Sequence, residues 1–124
     1  MASVLVVDDD DATRLLVRTL LAHAGHTVFE ARNGAEGVAL AVAHRPELIL
    51  FDLSMPVMSG AEFARAIRAE PQTHACTLAL YTATPMHAAL RDFMEIYRVG
   101  AAIPKPSEPI ELLQSVERAL HPGN

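Results

Sequence analysis

The sequence predicts an α/β chain: a doubly wound, five-stranded parallel sheet with five helices. Two observations predict it. Short apolar runs without alternation, "VLVV" at residues 4–7 and "LILF" at residues 48–51, fit strands covered on both faces. Stretches of helical spacing alternate with such runs five times along the 124 residues. That rhythm calls for right-handed crossovers, with helices on both faces of a mostly parallel sheet.

Residues 3–7 are short, β-branched and apolar, and read as the first strand. Asp11 is then expected to cap a helix in which Leu16, Leu20 and Ala24, and Val17 and Leu21, keep helical spacing until Gly25 stops it. "HTVFEA" reads as strand two, and "RNG" at residues 32–34 as a turn. Residues 35–44 are alanine-rich, with Val38 and Val42 four apart, and read as a helix closed by Arg45-Pro46. Residues 48–52, "LILFD", repeat the first strand's pattern of an apolar run ending in aspartate. "LSMPVMSG" is a loop punctuated by Pro56 and Gly60. Residues 61–69 place Phe63 and Ile67 on one helical face, closed by Pro71. "TLALY" is strand four and "TATP" its loop. Residues 87–99 read as a helix carrying Leu90, Phe93, Met94 and Tyr97, and "AAI" as a brief fifth strand stopped by "PKP". Residues 108–120 form the last helix, with Leu112, Leu113, Val116 and Leu120 inward and a frayed tail "HPGN" after it.

Composition narrows the function classes. The chain is 51% hydrophobic and 20% charged, as suits one folded domain over residues 1–124. A formal net charge of −5 disfavours direct nucleic-acid binding or an acidic membrane surface. Cys76 is the single cysteine, so no intrachain disulfide forms, and it reads as an inert thiol. No apolar run reaches a membrane span's ~20 residues, and acidic residues interrupt the N-terminal run at once. A cytoplasmic setting is expected. The six histidines lack metal-ligand spacing and read as surface residues.

The chemistry is expected at the carboxyl ends of the strands, where sheets of this kind hold ligands. Strand one ends at Asp8 and Asp9, strand three at Asp52, strand four at Thr82 and strand five at Lys105. Like charges repel, so three carboxylates at one rim call for a cation. Hard oxygen ligands suit Mg²⁺. A metal on Asp9 and Asp52, the Lys105 ammonium and the Thr82 hydroxyl would together neutralise a transferring phosphoryl group. An aspartate in that cage can be the nucleophile, giving an acyl phosphate. Asp10 and Asp11 read as helix entry and cap, and Met55 and Met58 as lining the rim of the site.

The ordered set "VLVVDDD", "LILFDLSMPVMSG", "YTA" and "PKP" resembles the receiver domain of two-component response regulators, the CheY-like fold. The resemblance covers essentially the whole chain. It implies a flavodoxin-like sheet of strand order 2-1-3-4-5. It implies that Asp52 accepts the phosphoryl group and that Asp9 binds Mg²⁺ directly. Asp8 would act through water or as a supporting carboxylate, and Ser54 would lend its backbone carbonyl. Thr82 would be the switch hydroxyl, Lys105 the lysine that pairs with the phosphoryl group, and Lys105-Pro106 a cis bond. The implied partners are a sensor histidine kinase or phosphotransfer protein and a downstream protein target or attached domain. A downstream partner would read the surface of helix four, strand five and helix five, a face that also allows a homodimer. A receiver is regulatory and not a turnover enzyme.

The chain departs from that family at four places. The aromatic residue usual three positions before the lysine is Ala102. The usual "GA" pair falls on Arg98-Val99, so strand five is either shifted or rebuilt. Ser107 replaces an aromatic after "KP". Ser54 and Thr84, two residues beyond Asp52 and Thr82, are small and neutral. A muted or rerouted output is expected. Three other readings compete: a receiver fragment of a larger sensor, kinase or regulator; a pseudo-receiver that is not phosphorylated; and a haloacid dehalogenase-type phosphatase. The last is suggested by "DDDAT" at residues 9–13. It needs a later acidic pair and a longer chain, and Glu108 and Glu111, the first acidic residues after the lysine, fall on a helix.

Overall fold

The computed structural model describes residues 1–122. The last two residues of the tail expected to fray, Gly123 and Asn124, lie outside them. The elements alternate throughout: β1 (Ser3–Val7), α1 (Asp11–His23), β2 (Thr27–Ala31), α2 (Gly34–His44), β3 (Leu48–Phe51), α3 (Gly60–Ala69), β4 (Thr77–Thr82), α4 (Ala88–Tyr97), β5 (Val99–Pro104) and α5 (Pro109–Leu120). All strand pairs are parallel, in the order β2-β1-β3-β4-β5. The expected sheet and strand order are therefore present. Chain direction across the sheet reverses between β1 and β3, which opens a crevice at their carboxyl ends.

Alternation along the central strands builds two cores. Leu5, Val7, Ile49, Phe51, Leu78 and Leu80 face α2, α3 and α4, where Phe63, Ile67 and Leu90 meet them. Val4, Val6, Leu48, Leu50, Ala79, Tyr81 and Ile103 face α1 and α5, against Val17, Leu21, Leu112 and Val116. Both sheet faces are dry, so the central strands read as unbroken apolar runs.

Capping fixes where the helices start. Asp10 caps α1, not Asp11 as expected: its carboxylate accepts from the Thr13 N–H at 3.0 Å, and Asp11 is the first helical residue. The Thr13 hydroxyl and N–H hold the Asp10 carboxyl below the usual carboxylate range. α1 ends on Gly25, whose φ of +99° suits a residue without Cβ, with the His26 N–H returning to the Leu21 carbonyl. Asn33 caps α2, so that helix begins at Gly34. Ser59 and Glu62 form a reciprocal capping box at α3.

Three further expectations are corrected. Val99 does not extend α4; it opens β5, because Arg98 closes the helix in the left-handed conformation (φ 55°). β5 is accordingly longer than "AAI", with a register break at Gly100, since Val99 pairs with Leu78 but Ala101 with Ala79. Strand five is thus rebuilt, with arginine at the turn where glycine is usual. His26 is buried, not a surface residue: its ring accepts from the Ala2 N–H at 3.1 Å and meets Glu117 of α5 at 2.9 Å. Met55 and Met58 are half-buried and pack against the α2/α3 core. Cys76 is half-buried and its thiol is pushed up by burial, as suits an inert thiol. Among the described residues no helix is long and apolar enough to cross a membrane.

Candidate phosphoryl-acceptor site

Four strand ends deliver the site. Asp8 follows β1 directly; its N–H is tied to the Ala31 carbonyl of β2, and the residue is buried. Asp52 follows β3, with its N–H on the Val7 carbonyl at 3.2 Å. Lys105 follows β5, with its N–H on the Thr82 carbonyl at 3.0 Å. The sheet ladder thus continues one residue past each strand and fixes these side chains at one rim.

Lys105 bridges two of the carboxylates. Its ammonium donates to Asp8 Oδ2 at 2.7 Å and to Asp52 Oδ2 at 3.0 Å. Burial pulls the lysine pKa down, but the bonds to Asp8 and Asp52 outweigh it, and the net shift is upward. Asp9 is exposed, yet Asp8, Asp9 and Asp52 each bring a carboxylate oxygen within 4.8 Å of the others. Three hard oxygen donors at that spacing, one side open to water, fit a small divalent cation such as Mg²⁺. Ser54 is exposed beside them, with its N–H at 3.5 Å from Asp52 Oδ1.

Thr82 is at the same rim, buried, but its hydroxyl is turned to its neighbour Thr84. It accepts from the Thr84 N–H at 3.2 Å and lies 3.3 Å from the Thr84 hydroxyl. Beside it, a cleft of about 210 Å³ opens between the β4–α4 loop and β5, lined in part by Thr84, Met86, Ala102 and Lys105. With only a methyl at Ala102, no ring fills it.

Sequence reasoning missed two residues. Arg14 is buried on the inward face of α1 and donates to the Asp8 carbonyl at 2.7 Å; it also bonds Asp11 and lies 3.5 Å from Glu30. Its spacing from Val17 and Leu21 was the available signal, since all three share one helical face. Tyr81 lies beneath Lys105, with the ammonium 5.5 Å from the ring centroid. Strand alternation with Ala79 would have placed it on that side. The "DDDAT" stretch does not assemble a phosphatase site, because Asp11 lies in α1 bonded to Arg14, and Thr13 caps with Asp10.

Three aspartates and a lysine meet at one rim of a five-stranded parallel sheet of order 2-1-3-4-5, the CheY-like arrangement. The response regulator receiver domain family matches residues 4–117, and the chain belongs to that family. Protein PilH of Pseudomonas aeruginosa is 30% identical over 122 residues, spanning 97% of this chain and 98% of its own. The polar-differentiation response regulator DivK of Brucella anthropi is 30% identical across 93% of this chain and 90% of its own. Chemotaxis protein CheY4 of Vibrio cholerae superposes with a TM-score of 0.90 at 32% identity, covering 96% of this chain and 98% of that one.

Proposed function

We propose that residues 1–124 form a single receiver domain that takes a phosphoryl group onto Asp52 from the phosphohistidine of a sensor histidine kinase or phosphotransfer protein in the cytoplasm. The observation that carries this reading is the Lys105 bridge between Asp8 and Asp52, with Asp9 completing the carboxylate cluster. Membership of the receiver family supports it.

In the reaction an Asp52 oxygen attacks phosphorus. The P–N bond to the donor breaks, its electron pair stays on the imidazole nitrogen, and Asp52 becomes an acyl phosphate. Mg²⁺, held by Asp8, Asp9 and Asp52 with the Ser54 carbonyl, would neutralise the phosphoryl oxygens. Lys105 exchanges its bond to Asp52 for one to a phosphoryl oxygen. The new group brings about −1.5 to −2 charges and three acceptors. Thr82 then leaves Thr84 to donate to it, and the β4–α4 loop follows. A downstream partner or attached domain reads the change on α4, β5 and α5. The domain regulates and does not turn over a substrate.

Beryllofluoride with Mg²⁺ tests this directly. Amide resonances following β1, β3, β4 and β5 are expected to shift in the wild type and to stay in place in Asp52→Asn. Unmoved wild-type resonances at saturating reagent would overturn the reading.

A further inference from the structure

Lys105 has three N–H donors, and two are used by Asp8 and Asp52. Among the described residues its ammonium has no third hydrogen-bond acceptor. What it has instead is an aromatic ring: Tyr81, only 5% exposed, presents its ring 5.5 Å from the ammonium. That lies within the range of cation–π attraction, which strengthens as the pair is desolvated. The ring is held firmly, since Tyr81 sits in β4 paired with Ile103 and packs into the core shared with α1 and α5.

We propose that Tyr81 is a positioning residue for phosphoryl transfer, holding the Lys105 ammonium over the rim while its hydrogen-bond partners change. The inference rests on Asp52 being the acceptor. During transfer Lys105 must release an Asp52 oxygen and take a phosphoryl oxygen, while a cation on the carboxylates repels it. Hydrogen bonds to Asp8 and Asp52 are directional and compete with those events. Attraction to a ring face has no single acceptor atom, so it persists through the exchange. Tyr81 therefore acts through Lys105 without touching the phosphoryl group.

The test separates ring electronics from packing. Position 81 is filled with phenylalanine and then with mono-, tri- and pentafluorinated phenylalanine, which preserve the ring's shape while draining its negative face. Tyr81→Leu is added as the ringless variant. Two quantities are read: the ring-current shift of the Lys105 methylene protons without a phosphodonor, and the rate of acyl phosphate formation from acetyl phosphate with saturating Mg²⁺. The expected result is an upfield Lys105 shift in wild type and Tyr81→Phe, lost in Tyr81→Leu. The rate in Tyr81→Phe stays within about twofold of wild type and falls stepwise with fluorination, by about three- to tenfold at the pentafluorinated ring. A rate that stays flat across the fluorinated series, or unshifted Lys105 protons in wild type, overturns the proposal. A wild type that forms no acyl phosphate overturns the reading of the site and the positioning role with it. The shift, measured without phosphodonor, still reports whether the contact exists.

Discussion

Lys105 sets the charge balance of the site. Its folded pKa lies above the ordinary lysine value: burial works downward, and the bonds to Asp8 and Asp52 more than offset it. A cationic group with a raised folded pKa contributes its stability fully below the unfolded pKa of about 10.4 and loses it as pH rises through the folded value. In metal-free buffer, Lys105→Met is therefore expected to cost ~2 kcal/mol from neutral pH up to about pH 10, with the gap closing only above that. Urea unfolding at a series of pH values measures it, and a gap that closes below pH ~9 contradicts the assignment. The carboxylates and the lysine were legible in the sequence because each ends an apolar run. Tyr81 and Arg14 were not, because an aromatic in a strand and an arginine on a helix carry no mark of what lies above them. The Asp10 cap was missed because four adjacent aspartates offer several candidates, and only backbone geometry selects one.

At the scale of elements, the α4–β5 joint is the unusual part of the chain. Arg98 takes a left-handed conformation that costs a residue with Cβ roughly 1 kcal/mol or more. Arg68 of α3 secures the joint: it donates to the carbonyls of Tyr97 at 2.8 Å and Arg98 at 3.0 Å, and to those of His74 and Cys76 before β4. Burial first, and then the charge of Arg98, lower the Arg68 pKa. Arg98→Gly is expected to gain about 0.5–1 kcal/mol by relieving the backbone. Arg68→Met is expected to lose about 2 kcal/mol by orphaning carbonyls. Denaturant midpoints of the two variants, moving in opposite directions, check both. The sequence placed α4 and β5 but blurred their junction, since arginine in a left-handed cap has no sequence signature. Gly60 is the reverse case, a visible loop signal with a hidden reason. A Cβ there would lie 2.6 Å from the Asp52 carbonyl oxygen, so only glycine lets α3 start against the Asp52 backbone.

Across the whole molecule, the topology was readable because the three inner strands β1, β3 and β4 are almost entirely buried and therefore continuous in apolar residues. The edge strand β5 is half-exposed, and there the boundary slipped by more than a residue. The edge at β5 also carries the cleft that Ala102 leaves open. Ala102→Tyr is expected to fill that cleft. It should extend the amide shifts expected with beryllofluoride further from the rim of the site into α4 and β5 than in wild type. Equal shift patterns in the two proteins would show that the output does not pass through this cleft.

The central claim is that Asp52 accepts a phosphoryl group. Intact-mass measurement after incubation with Mg²⁺ and acetyl phosphate tests it most directly. One labile phosphoryl adduct is expected on the wild type and none on Asp52→Asn. An unmodified wild type, or an adduct that survives in Asp52→Asn, contradicts it.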